Sequence, residues 1–98
     1  MQLSVKGAKI KQELLHYVLS VDRRVLVIRE FQHRSMLQAS DIAKKTGRSL
    51  QNISHSLKDL EEKKIVACIT PQKRTWKRYI LTEIGKNVLD ELRERKLI

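Results

Sequence analysis

Four hydrogen-bonding side chains, Ser49, Gln51, Asn52 and His55, fall within one short stretch of the chain. Amides, a hydroxyl and an imidazole at this spacing share the first turns of a single helix. On a helix lying in a DNA major groove, those turns carry the side chains that meet base edges. Gln and Asn suit adenine, whose N6 and N7 match a bidentate amide. Positive charge gathers around them. Lys44, Lys45, Arg48 and Lys58 stand where they can contact phosphates at helix ends, and Lys73, Arg74, Lys77 and Arg78 form a second basic group further along. Catalytic chemistry finds no comparable set. There is no nucleophile–base pair, no paired carboxylates, no phosphate-cradling loop and no metal-ligand spacing, and His16, His33 and His55 are scattered. The sequence therefore predicts no enzyme, no bound metal and no cofactor.

The elements that must position these residues follow from periodicity. Ser40 to Lys64 reads as two helices joined by a tight turn. Ser40 is the expected N-cap of the first helix, Ile42 and Ala43 its small buried face, and Thr46-Gly47 its end. Ser49 caps the second helix, over residues 50–63, where Leu50, Ile53, Leu57 and Leu60 recur as one apolar stripe. Gln51, Asn52, His55, Lys58, Asp59 and Glu62 point the other way. A polar outer face is also what any solvated helix shows, so the flanking segments carry much of the argument.

Before this pair, residues 5–19 read as a helix with Ile10, Leu14, Leu15, Val18 and Leu19 on one side. A second helix follows from Arg23 to about Gln32, capped by Ser20 or Asp22. Val25, Leu26, Ile28 and Phe31 face inward on it, and Arg24, Arg29 and Glu30 outward. Met36 to Ala39 is a short strand-like segment. After the pair, Ile65–Thr70 and Trp76–Leu81 are β-rich runs around the polar loop Pro71–Thr75, which makes a hairpin with four cations near its tip. Charged edge hairpins also occur simply as protection against aggregation. Trp76 is expected to pack at the hairpin base, with a DNA backbone as the alternative contact, and Cys68 to be a small buried hydrophobe. Thr82 caps a last helix, residues 83–95, with Ile84, Val88, Leu89 and Leu92 on its inner face.

Length and charge bound the rest. Ninety-eight residues make one domain spanning 1–98, and aromatic residues are only 4%, so the core is aliphatic. The formal net charge is +10, and residues 34–78 hold 11 basic against 4 acidic side chains. A basic field centred on a helix pair favours a polyanionic partner. A single cysteine excludes an intrachain disulfide and fits a reducing, cytoplasmic compartment. No run of about 18 apolar residues is present to cross a membrane, and no secretion signal is apparent.

The stretch SDIAKKTGRSLQNISHSLKDLEEKKIV resembles the core motif of winged helix-turn-helix transcription regulators of the MarR and ArsR type. The segment RYILTEIGKNVLDEL is similar to their strand-to-helix junction. The resemblance covers about residues 21–92. It implies a mainly α fold with a small β-hairpin, that is, a winged helix-turn-helix with additional N- and C-terminal helices. It also implies double-stranded DNA as partner, with helix 50–63 in the major groove and the wing, residues 70–78, on the flanking backbone or minor groove. A homodimer packed through helices 5–19 and 83–95 would present two recognition helices about one DNA turn, roughly 34–36 Å, apart. Three departures stand out. The helix-turn-helix holds no cysteine, so metal sensing is not expected. The chain is short for the MarR type, so a small-molecule effector is not indicated. Position 64 is Lys where many relatives have Gly. Two competing readings use the same residues: a non-specific architectural nucleic-acid-binding protein, and a winged-helix module that docks other proteins.

Overall fold

The computed structural model describes residues 12–74 and 76–98, arranged as five helices and three short strands among those residues. In chain order they are α1 (Gln12–Leu19), α2 (Asp22–Glu30), β1 (Met36–Gln38), α3 (Ala39–Thr46), α4 (Leu50–Glu62), β2 (Val66–Cys68), β3 (Arg78–Leu81) and α5 (Glu83–Glu94). This is a winged helix-turn-helix with added terminal helices. Of the helix expected over 5–19, the part before Gln12 lies outside the described residues.

The strands form one antiparallel sheet in the order β1-β3-β2. The expected hairpin is β2 with β3, and β1 joins its other edge, pairing Leu37 with Tyr79 while Cys68 pairs with Tyr79 from the far side. This row of three and the row Val66–Leu81 face the core, because alternate residues of a strand share a face. Leu37, Val66, Tyr79 and Leu81 are buried and Cys68 half-buried. The helices close over that face with Leu15 and Val18 of α1, Val27 and Ile28 of α2, Ile42 of α3, Ile53, Leu57 and Leu60 of α4, and Val88, Leu89 and Leu92 of α5. The core is aliphatic apart from Phe31 and Tyr79.

Helix ends explain where the elements stop, and they correct several sequence expectations. Ser40 does not cap α3. The helix starts at Ala39, two residues earlier than expected, Gln38 holds the extended cap position, and the Asp41 carboxylate accepts from the Gln38 N–H at 2.9 Å. Gly47 ends α3 at φ +74° with its N–H on the Ala43 carbonyl. Val21, not Ser20 or Asp22, precedes α2, and the Ser20 hydroxyl instead donates back to the Tyr17 carbonyl. Val27 is fully buried and joins Ile28 and Phe31, whereas Val25 and Leu26 are only partly so.

The exit of α4 is closed by a six-residue ring typical of glycine-terminated helices: Ile65 N–H bonds the Leu60 carbonyl and Lys64 N–H that of Glu61. Lys64 takes the left-handed position at φ +63°. The α5 exit repeats the pattern with Lys96 at φ +57°, Leu97 N–H on Leu92 and Lys96 N–H on Arg93. Thr82 caps α5 as expected, accepting from Gly85 N–H at 3.0 Å and donating to the Lys64 carbonyl at 2.6 Å. Gly85 sits so close to the Ile65 carbonyl that a Cβ there would overlap it. This junction fixes α5 against the start of β2. Ile84, expected on the inner face, is 42% exposed, because the close approach at Gly85 turns that position outward.

Candidate nucleic-acid interface

α4 is seated by its apolar stripe, and the stripe is narrower at the start than the periodicity suggests. Ile53, Leu57 and Leu60 are fully buried and Ser56 joins them at 1%, but Leu50 is 53% exposed. At 100° per residue, Leu50 lies about 60° from Ile53 and 120° from Ser56, on the edge of the buried arc. Nothing in the core reaches it there.

The C-terminal half of the helix is held by an arginine that the sequence placed outward. The Arg24 side chain is only 13% exposed. Its guanidinium lies 3.7 Å from the Tyr17 ring centroid, donates to the Tyr17 carbonyl at 2.6 Å, and meets the Asp59 carboxylate at 3.2 Å. Asp59, also expected outward, is thereby turned inward. Glu30 is a third correction, with a side chain 11% exposed. For Arg24 and Asp59 the physical reason is shared: helices α1, α2 and α4 meet here, and a planar cation can satisfy a ring, a carbonyl and a carboxylate at once.

Toward the N-terminal half of α4 the same polar face is open. Gln51, Asn52 and His55 are exposed, as the sequence expects of base-reading side chains. Ser49 is exposed too, and its Oγ accepts from Asn52 N–H at 3.1 Å, so the hydroxyl starts the helix and retains its proton and one lone pair for a partner. His55 Nε2 stands 3.9 Å from the Asp59 carboxylate. Charge runs along the helix in one direction. Its first turn holds no acidic residue, while Asp59, Glu61 and Glu62 lie at its C-terminal end. The unpaired N–H groups of the first turn add partial positive charge at the leading end. That end favours an anion.

The candidate phosphate-contacting residues divide into groups. Lys44 and Lys45 are exposed in the last turn of α3, and Lys58 is exposed on α4. Arg48 lies 3.4 Å from the exposed Asp22 carboxylate, a weak surface pair. In the wing, Lys73, Arg74 and Arg78 are exposed and Lys77 is half-buried. Thr70 shapes the wing base, accepting from Arg78 N–H on its side-chain oxygen and from Lys73 N–H on its carbonyl. Trp76, expected to pack, is 70% exposed at φ +62°.

Helix α4, the start of α3 and the wing border an open cleft of about 570 Å³. Lys58, Arg74 and Lys77 meet there, with Leu50, Ser54 and Trp76. Gln51, Asn52 and His55 stand outside it on the adjoining face. Ser54 was not singled out by the sequence, and Leu50 was assigned to the buried stripe. Their signal was the one-turn spacing Leu50, Ser54, Lys58, which only acquires meaning once the wing is opposite.

Among the described residues, no three His, Cys, Asp or Glu side chains are grouped to hold a metal, and no helix is long and apolar enough to cross a membrane. The sequence matches no protein-family model and no curated protein. Solved structures share the fold. A mutant of the type III plasmid segregation protein TubR aligns over 100% of this chain and 98% of its own, at 13% identity and a TM-score of 0.71. The AntR antimony-specific transcriptional repressor aligns over 100% and 97%, at 17% identity and 0.65. RV1404 from Mycobacterium tuberculosis aligns over 90% and 75%, at 13% identity and 0.60. At such identities the likeness is one of fold.

Proposed function

We propose that this chain is a sequence-selective, double-stranded-DNA-binding regulator of the MarR/ArsR type, working as a homodimer. The single observation that carries the reading is the face of α4. An amide-rich, acid-free face along the N-terminal half stands free of the rest of the fold, on a helix anchored through Asp59 near its acidic end. Gln51, Asn52, His55 and the Ser49 hydroxyl read base edges. Lys44, Lys45, Arg48 and Lys58 hold phosphates beside the major groove, and Lys73, Arg74, Lys77 and Arg78 set the wing on the flanking backbone or minor groove. The chain acts as one domain, with the N-terminal helix and α5 covering each other across the dimer.

The solved structures support this reading through their stated roles, plasmid segregation for TubR and transcriptional repression for AntR. AntR's antimony specificity is not carried over, since this chain has a single cysteine, Cys68, placed in the sheet. Selection from random duplexes tests the proposal. Enrichment of a palindrome, together with a dimer by sedimentation, supports it. Random duplex competing as well as any selected one would favour a general nucleic-acid binder instead. Gln51→Ala with Asn52→Ala should reduce preference for the selected site more than overall affinity. Lys73→Ala with Arg74→Ala should do the reverse.

A further inference from the structure

A surface built only for phosphates and base hydrogen bonds has no use for exposed hydrocarbon, yet the cleft between α4 and the wing carries two large apolar side chains. Leu50 is 53% exposed at the first position of α4, and Trp76 is 70% exposed on the wing. Trp76 also holds a left-handed backbone, φ +62°, which a side-chain-bearing residue adopts only at a cost in conformational energy. Leu19, Met36, Ile69, Ile84 and Leu97 are exposed as well, but none of them lines this cleft. Leu50 and Trp76 therefore share a groove that also holds Lys58, Arg74 and Lys77 against one carboxylate, Glu61.

A strand of DNA has this mixture of chemistry. Its phosphates are anionic, its deoxyribose faces are apolar, and among the bases thymine presents a methyl group to the major groove. Resting on the DNA-binding reading, we infer that the cleft seats one strand of the bound duplex, with Leu50 packed on a thymine C5-methyl and Trp76 closed over a deoxyribose face. Ser54 and Lys58 follow Leu50 at one-turn intervals and line the same wall of the groove. Arg74 and Lys77 flank Trp76 on the other wall, so each apolar contact has a cation beside it for the neighbouring phosphate. Leu50 thereby adds thymine selectivity next to Gln51, whose amide suits adenine, and the pair favours A·T steps.

The test replaces each thymine of a selected duplex, in turn, with deoxyuridine, which removes the methyl and keeps the base pair. The wild-type protein should lose about fourfold in affinity at the contacted position, the worth of one buried methyl. Leu50→Ala should bind both duplexes alike and keep its thermal stability, since the side chain is exposed. Trp76 is the one tryptophan, so its emission reports on the wing alone. It should shift to the blue when the selected duplex binds, and Trp76→Ala should bind more weakly than Trp76→Phe. A selected site without thymine, equal affinity for thymine and uridine at every position, or unchanged tryptophan emission would each overturn the inference while leaving DNA binding intact. An emission shift with an acidic amphipathic peptide but none with DNA would assign the cleft to protein. If no duplex is enriched at all, the sequence-selective reading fails, and this inference fails with it.

Discussion

Three helices meet at the Arg24 guanidinium, which ties α1 and α2 to α4. Its ring contact, its bond to the Tyr17 carbonyl and its Asp59 pair are all partly shielded from water. Removing it leaves Asp59 half-buried without a cation. Arg24→Ala should cost about 2 kcal/mol, combining a cation–ring contact with a charged hydrogen bond. Urea denaturation of the variant measures this, and Arg24→Lys should recover little, since an ammonium cannot fork. Tyr79 gives a second residue-scale prediction. Burial pushes its hydroxyl above the ordinary tyrosine value of 10.0, and Cys68 and Glu61 push the same way. The folded state thus keeps a proton that the unfolded chain releases. The corresponding stability is complete below pH 10 and is lost as pH rises through the folded value. Tyr79→Phe should flatten that alkaline loss when unfolding is followed between neutral pH and pH 11, while retaining the ring between Leu37 and Cys68.

At the scale of elements, the α4 exit makes an unusual demand on its residue. Lys64 occupies a left-handed position that glycine fills without strain, and its side chain is exposed, so nothing is lost by deleting it. Lys64→Gly should raise stability by about 0.5–1 kcal/mol, the left-handed cost less the extra freedom of glycine in the unfolded chain. For a domain of this size that is a rise of roughly 2–8 °C in Tm, read by calorimetry. The same junction shows what the sequence could reveal. The helix-turn-helix, the Ser49 and Thr82 caps and the antiparallel hairpin were legible because each rests on local chemistry, a hydroxyl before a periodic stripe or two β-branched runs around a loop. The α4 exit at Lys64 was signalled only by the resemblance, which has Gly there, and Lys96 closing α5 was not legible, since these left-handed turns go with Ile65 and Leu97 bonding back to Leu60 and Leu92. Arg24 and Asp59 were misread for a related reason: a wheel drawn on one helix cannot see the tyrosine of another. The exposed polar set of α4 was legible from its spacing, whereas the cleft was not, because Leu50 and Trp76 belong to elements that only the sheet brings face to face.

For the whole molecule, the decisive quantity is how its charge is distributed. The total is +10, and residues 34–78, which hold the helix-turn-helix and wing, carry 11 basic and 4 acidic residues, a balance of +7. Four of the eight candidate phosphate contacts come from the α3–α4 unit and four from the wing, so a duplex must touch both to neutralise them. If each chain engages about four phosphates, counterion release gives log K against log salt a slope near −3.6 for a single bound chain and near −7 for a dimer on two half-sites. Titrations of a selected duplex from 50 to 200 mM salt read the slope directly. A value near −7, with two chains per duplex by sedimentation, is what about four contacts per chain would give. Lys73→Ala with Arg74→Ala should then reduce it by about 2 to 4, because each dimer loses up to four contacts at about 0.9 apiece. A slope near zero would mean that the basic field answers to solubility and not to a polyanion. In that case the open face of α4 would need a neutral partner.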